Sequence, residues 1–294
     1  MKHYFLLLLL LFSCSKNQEQ ILTEEEYTSF GNGIILSLEK GNLKKLKNHK
    51  NLERVYANLE KQITYFELNS KVSNTKWKSY RVELHQQFNV YLKSLISLAQ
   101  KPNCQIELSK YYKKDGIPHI VIAINSPEAV EFADFELVTI GDRTYITDYQ
   151  SYNTGFQFSE SFIWNALNKL EYGWLGGEYM NALSEIKNAN IFLERGEPER
   201  AWTAINRVPE YFIYHNSFQI IKVNTASQLG DSLYIESLYE WIGQNWDQEG
   251  FRHLKSYEFY SIIGDTIEAN ASLDSLEMIA GKCTLTKNLR LVSK

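Results

Sequence analysis

The 294-residue chain holds only three cysteines, Cys14, Cys104 and Cys283, and no Cys/His spacing of the kind that ligates a metal. No metal and no cofactor is therefore expected. A basic excess is also missing. With 31 Lys and Arg against 35 Asp and Glu, the chain lacks the positive surface of a general nucleic-acid binder, and no nucleic-acid partner is expected. Gly-x-Ser-x-Gly, His-Glu-x-x-His and phosphate-loop patterns do not occur, so an enzyme is not the first expectation. Nor is there a long apolar run. Residues 4–12 form an apolar stretch of nine, far short of the roughly 20 that span a bilayer. What is present is 44% apolar and 14% aromatic residues, enough to build real cores.

The N-terminus reads Met1-Lys2-His3-Tyr4-Phe5, then leucines through Leu11, then Phe12-Ser13-Cys14. A positive start, a short apolar run and a small residue before a cut are the parts of an export signal. Leu11 and Ser13, three and one before Cys14, resemble the lipobox of bacterial lipoproteins, with Phe12 a departure at the middle position. The resemblance implies cleavage after Ser13 and a diacylglycerol on Cys14. Residues 1–13 are then a signal peptide and residues 14–20 a lipidated tether, with the membrane as a partner. Two or three acyl chains make such attachment effectively permanent. Ser15 lacks the acidic character of an inner-membrane retention signal, which favours the outer membrane, on its periplasmic or surface leaflet. With Cys14 lipidated, Cys104 and Cys283 fall in different expected units and are read as two free thiols.

Residues 21–158 read as an α+β unit. Thr23 and Glu26 fit a capping box, Gly41-Asn42 breaks the first helix, and a long helix is expected from about Thr75 to Ala99. The basic run Lys44, Lys45, Lys47, Lys50 and Arg54 is read as a solvated helix face, with anionic headgroups as the functional option. After Lys101-Pro102-Asn103 the period changes to two. Four strands follow, punctuated by Asp115-Gly116, Ser126-Pro127 and Gly141-Asp142. Helices followed by an antiparallel meander resemble the NTF2-like fold, a curved sheet wrapped over helices. That resemblance implies a pocket, with His119 and Asp148 as acid–base candidates and Asp148 placed on the Ile146 side of its strand.

Residues 159–294 read as all-helical. Gly196, Gly230 and Gly264 lie 34 residues apart, each followed by an acid (Glu197, Asp231, Asp265). Five residues after them come Ala201, Ile235 and Ala269; nine after, Ile205, Tyr239 and Leu273; twelve after, Val208, Ile242 and Leu276. Seven before come Ala189, Val223 and Tyr257, and four before, Phe192, Ala226 and Tyr260. Every one is apolar or aromatic. A period of 34 with filled packing columns resembles the tetratricopeptide (TPR) repeat, here as three degenerate units. Glu185, Gln219 and His253 depart from the family where an apolar residue is usual. The resemblance implies a protein or peptide partner held in an inner groove. Asn190, Asn224 and Glu258 lie six before each glycine, and Ile186, Ile220 and Leu254, ten before, would form an apolar floor. A membrane-anchored binding scaffold is the leading reading. A small-ligand or acid–base pocket in the α+β unit is the alternative.

Overall fold

The computed structural model describes residues 22–127, 129–171, 177–212 and 215–290. The leader and Cys14 lie outside them. Among the described residues four helices come first: α1 (Glu24–Glu39), α2 (Leu43–Asn48), α3 (Glu53–Tyr65) and α4 (Asn74–Ala99). The Thr23 box starts α1: the Thr23 hydroxyl accepts from the Glu26 amide at 3.3 Å, and the Glu26 carboxylate accepts from the Thr23 amide at 2.8 Å. The strands β1 (Gln105–Lys114), β2 (Ile117–Asn125), β3 (Val130–Ile140), β4 (Arg143–Ser151) and β5 (Phe156–Gln157) then form an antiparallel sheet in chain order. Asp115 and Gly116 both have positive φ, 52° and 81°, as a tight two-residue hairpin turn requires.

Helix α5 (Phe158–Glu171) follows β5 directly. Three helical hairpins come next: α6 (Gly177–Glu194) with α7 (Pro198–Ile205), α8 (Asn216–Leu229) with α9 (Asp231–Gln244), and α10 (Glu249–Ile263) with α11 (Thr266–Ala280). A short α12 (Thr284–Leu289) closes the described chain. The 34-residue glycines sit at the turns of these hairpins. Gly196 and Gly264 are left-handed, φ 72° and 81°, and the following amides, Glu197 and Asp265, reach back to the carbonyls of Phe192 and Tyr260, each at 2.9 Å. The middle turn differs. Gly230 has φ 140° and ψ 160°, and α9 begins on the next residue. Its buried face is Ser237, Leu238 and Trp241, and Tyr239, which the repeat register places in a packing column, is 67% exposed.

The sheet is covered on both faces. Ile120, Ile122, Ile124, Phe135 and Leu137 pack with α1, α3, α4 and α5. On the other face Val121, Ala123, Phe132 and Tyr152 pack with Leu254, Leu273, Leu276 and Ala280 of the last hairpin and with Leu285 of α12. The sequence divides the chain at 158/159. Instead Phe158, Phe162 and Ala166 of α5 belong to the first core, Phe158 meeting Phe88 edge-on at 4.8 Å, and the last hairpin shares a core with the strands.

Two glycines set how closely the parts approach. A Cβ on Gly250, in the first turn of α10, would fall 2.5 Å from the Tyr152 ring. One on Gly155, in the β4–β5 turn at φ 63°, would fall 3.0 Å from Phe251 and 3.1 Å from Gln248. Gly250→Ala is expected to destabilise the chain by about 1–3 kcal/mol through overpacking. Gly243→Ala, on an α9 position with open space around it, should be neutral or stabilising by up to about 1 kcal/mol. Thermal melts followed by circular dichroism read both, and an unchanged melt for Gly250→Ala contradicts the close seat.

Candidate functional site

The candidate site grows from the same β4–β5 turn. The Gly155 carbonyl accepts from Asn216 Nδ2 at 3.1 Å, which holds the start of α8 beside β5 and α5. A cleft of about 650 Å³ opens between them, within the range of small-molecule sites. Its wall is aromatic. Tyr91 of α4 lies 4.3 Å from Phe156, centroid to centroid, and Trp164 of α5, 42% exposed, meets the His215 ring at 5.1 Å. Burial pushes the Tyr91 phenol up to about 12 and the His215 imidazole down to about 4, so both are neutral at pH 7.

Glu131 lies deep in the cleft. It follows Val130 at the start of β3, accepts from the Ser151 hydroxyl at 2.6 Å, and is 6% exposed. Desolvation raises its carboxyl to about 7, opposed by the Ser151 hydrogen bond, the Asn153 amide and the charge of Lys255. Lys255 itself is committed elsewhere, to Asn153 Oδ1 at 2.9 Å and Glu258 Oε2 at 2.8 Å. Among the described residues that line the cleft there is no Lys and no Arg.

The sequence candidates are placed as follows. Cys14 lies outside the described residues. Ile186 is buried in the first hairpin's core and Leu254 in the core against the sheet. Ile220 alone of the three lines the cleft. Asn190 donates to Glu194 at 2.7 Å, one turn along its own helix, and Asn224 is exposed. Glu258 pairs with Lys255 and accepts from the Tyr234 hydroxyl; burial pushes its carboxyl up, but these partners outweigh it and hold it below the usual range. Of the expected ladder, Asn190 and Glu258 thus have partners within the chain, and Asn224 is exposed.

The expected pair His119 and Asp148 share the walls of a smaller pocket of about 160 Å³, but each has another partner. His119 Nδ1 contacts Asp134 Oδ1 at 3.0 Å, and Asp134 also accepts from the hydroxyls of Tyr112 at 2.5 Å and Tyr152 at 2.8 Å. Asp148 accepts from the Ser159 amide and hydroxyl, at 2.9 and 2.5 Å, from Gln157 at 2.9 Å and from the Tyr149 amide at 2.8 Å. These bonds join β4 to β5 and the start of α5. Burial still raises its carboxyl, with Ser159 and Gln157 opposing. Asp148 does not share the Ile146 side of its strand. The register shifts between Glu136 and Leu137, pairing Ile146 with Leu137 and Asp148 with Glu136, and the extra residue turns Asp148 to the opposite face.

Of the basic run, Lys44, Lys45 and Lys47 are exposed. Arg54 pairs with Glu136 at 2.9 Å, and Lys50 donates to Asn89 at 2.7 Å, its pKa lowered to about 8 by burial and by Lys47. Cys104 and Cys283 are free. No described helix is long and apolar enough to cross a membrane, and no described group of three His, Cys, Asp or Glu side chains is placed to hold a metal ion. No protein-family model, curated protein or solved structure matches the chain.

Sequence reasoning missed Glu131, Tyr91, Trp164, His215 and Gln248. The legible signal was Glu131, an acid between the apolar Val130 and Phe132 at the start of β3. Because folding raises its pKa from an ordinary 4.5 to about 7, the folded chain binds the extra proton between those values, and stability falls as pH rises through that window. Replacing Glu131 with Gln should remove roughly 3 kcal/mol of the difference in stability between pH 5 and pH 8. Urea unfolding at the two pH values measures it. A variant with the parent's pH dependence contradicts the assignment.

Proposed function

We propose that the chain is a lipid-anchored envelope protein that binds a small organic ligand in the cleft between the sheet and the helical hairpins. One observation carries the reading: the cleft has the size of a ligand site and combines aromatic walls of Tyr91, Phe156 and Trp164 with polar side chains that converge on it. The lipobox-like Leu11-Phe12-Ser13-Cys14 supports anchoring at the outer membrane. The order of helices, meander and helical hairpins supports the NTF2-like and TPR-like resemblances as the architecture behind it. The first helix of the middle hairpin gives Ile220 and the start of α8 to the cleft, so the repeat part contributes to binding through its inner side, as the TPR resemblance implies. The protein or peptide scaffold is the weaker form of this reading, because Ile186 and Leu254 are buried in separate cores. An acid–base role for the smaller pocket rests on the His119–Asp134 contact, with Asp148 as a positioning residue.

Two experiments test the proposal. Cys14→Ala should abolish incorporation of labelled palmitate, and normal labelling of that variant defeats the anchor. Ser161→Trp should fill the cleft from α5. A nuclear magnetic resonance screen of small organic compounds against the full chain should then lose the hits that shift the Trp164 indole in the parent. Hits that survive Ser161→Trp place the binding site elsewhere.

A further inference from the structure

The direction of the cleft's amide groups narrows the ligand, if the cleft is the binding site. Three of these amides have their orientation fixed by partners that only accept. Asn216 Nδ2 donates to the Gly155 carbonyl at 3.1 Å, Asn245 Nδ2 to the Trp241 carbonyl at 3.0 Å, and Gln157 Nε2 to Asp148 Oδ2 at 2.9 Å. Each –NH2 thus has a hydrogen committed to the protein, and the carbonyl oxygen is left to accept from a ligand. Gln248, on the same wall, has a buried Oε1 with no hydrogen-bond partner. These four amides therefore offer acceptors, beside hydroxyls of the lining that can accept as well as donate.

Charge points the same way. Glu131 lies at depth, faced by Lys255 from α10, by Tyr149 and by the Ser151 hydroxyl. Lys255 is held by Asn153 and Glu258 and does not line the cleft. At the exposed rim Glu160 sits among Asp148 and Asp247, with Lys114 the opposing charge. The start of α8, which would attract an anion, is internally capped. The Ser217 amide donates to His215 Nδ1 at 3.3 Å and the Phe218 amide to the His215 carbonyl at 2.8 Å. Aromatic faces at Trp164 and Tyr91 complete the surroundings that a cation prefers.

We propose that the cleft binds a small organic cation, a protonated alkylamine or guanidinium, with the amide carbonyls taking its N–H donors, Glu131 balancing its charge and Trp164 covering its stem. An ammonium has three donors and no acceptor, which complements a wall of acceptors. A carboxylate or phosphate finds no cation to meet it. An extended peptide finds only the two residues of β5 as a strand edge, too short for ladder pairing.

The test titrates the full chain with n-butylammonium and n-butylguanidinium, with butan-1-ol and butyrate as neutral and anionic controls of similar size, reading the Trp164 indole resonance. The cations should bind at least about tenfold tighter than either control. Glu131→Gln and, separately, Gln248→Leu should each weaken cation binding about tenfold. Asp274→Asn, an equal charge change on the far side of the last hairpin, should not. Binding at pH 7 should release protons as Glu131 ionises. Putrescine and the tripeptide acetyl-Gly-Lys-Gly-amide distinguish a free amine from a lysine side chain as the source, and tight binding of either supports the cation. If butan-1-ol shifts Trp164 as tightly as butylammonium, or if both Glu131→Gln and Gln248→Leu bind the cations like the parent, the cation inference is overturned while the cleft stands as a binding site. If no cation, alcohol or acid moves Trp164 and the wider compound screen also leaves it unmoved, both fall.

Discussion

The seat of the β4–β5 turn against the first turn of α10 is the contact on which the remaining architecture hangs. Tyr152 lies flat where Gly250 has no side chain, Gly155 fits between Phe251 and Gln248, and the Gly155 carbonyl takes the Asn216 amide. Each is a close approach between backbone and ring or backbone and amide, with no room for one more carbon. This is how close packing in interiors transmits position: a methyl group at either glycine would push α10 away from the sheet.

Several consequences follow from that one contact. Because α10 is held against β3 and β4, its hairpin partner α11 closes over Val121, Ala123 and Phe132. Because the turn also holds α8, a space remains between α5, β5 and the start of α8, and it is the cleft. The Lys255–Glu258 pair and the Asn153 side chain bind the same junction. Buried ion pairs contribute little net stability but cost several kcal/mol when one partner is removed, so this network fixes the relative position of sheet and helices more than it strengthens them. Glu131, adjacent to it and only partly offset by Ser151, Asn153 and Lys255, is the opposite case: its carboxyl gains by keeping a proton.

Local features of the fold were readable because they depend on near neighbours. The Thr23–Glu26 box, the break at Gly41 and the Asp115-Gly116 turn stand where the sequence places them, and the 34-residue glycines sit at hairpin turns. Helix α5 and strand β5 show the limit. Phe158 begins a helix whose apolar residues fit either half of the chain, and only the shape of the α4 surface assigns them to the first core. One long-range fact was in fact written locally. From Ile120 to Ile124 strand β2 is apolar at every position, the pattern of a strand buried on both faces. The cleft could not be read in the same way. Asn216 and Gly155 are separated by 61 residues, and Asp148 changes face through a bulge of one residue that leaves no mark in the strand's composition.

The central claim is that the last hairpin and the sheet form one cooperative unit through the turn at residues 152–155. Native-state amide hydrogen exchange tests it most directly, since it gives an opening free energy for each protected segment. The account predicts that the amides of Ile120–Ile124 in β2 and those around Leu254 in α10 open together, with the same free energy and the same denaturant dependence. A lower-energy opening of α10 and α11 that leaves β2 fully protected would contradict it.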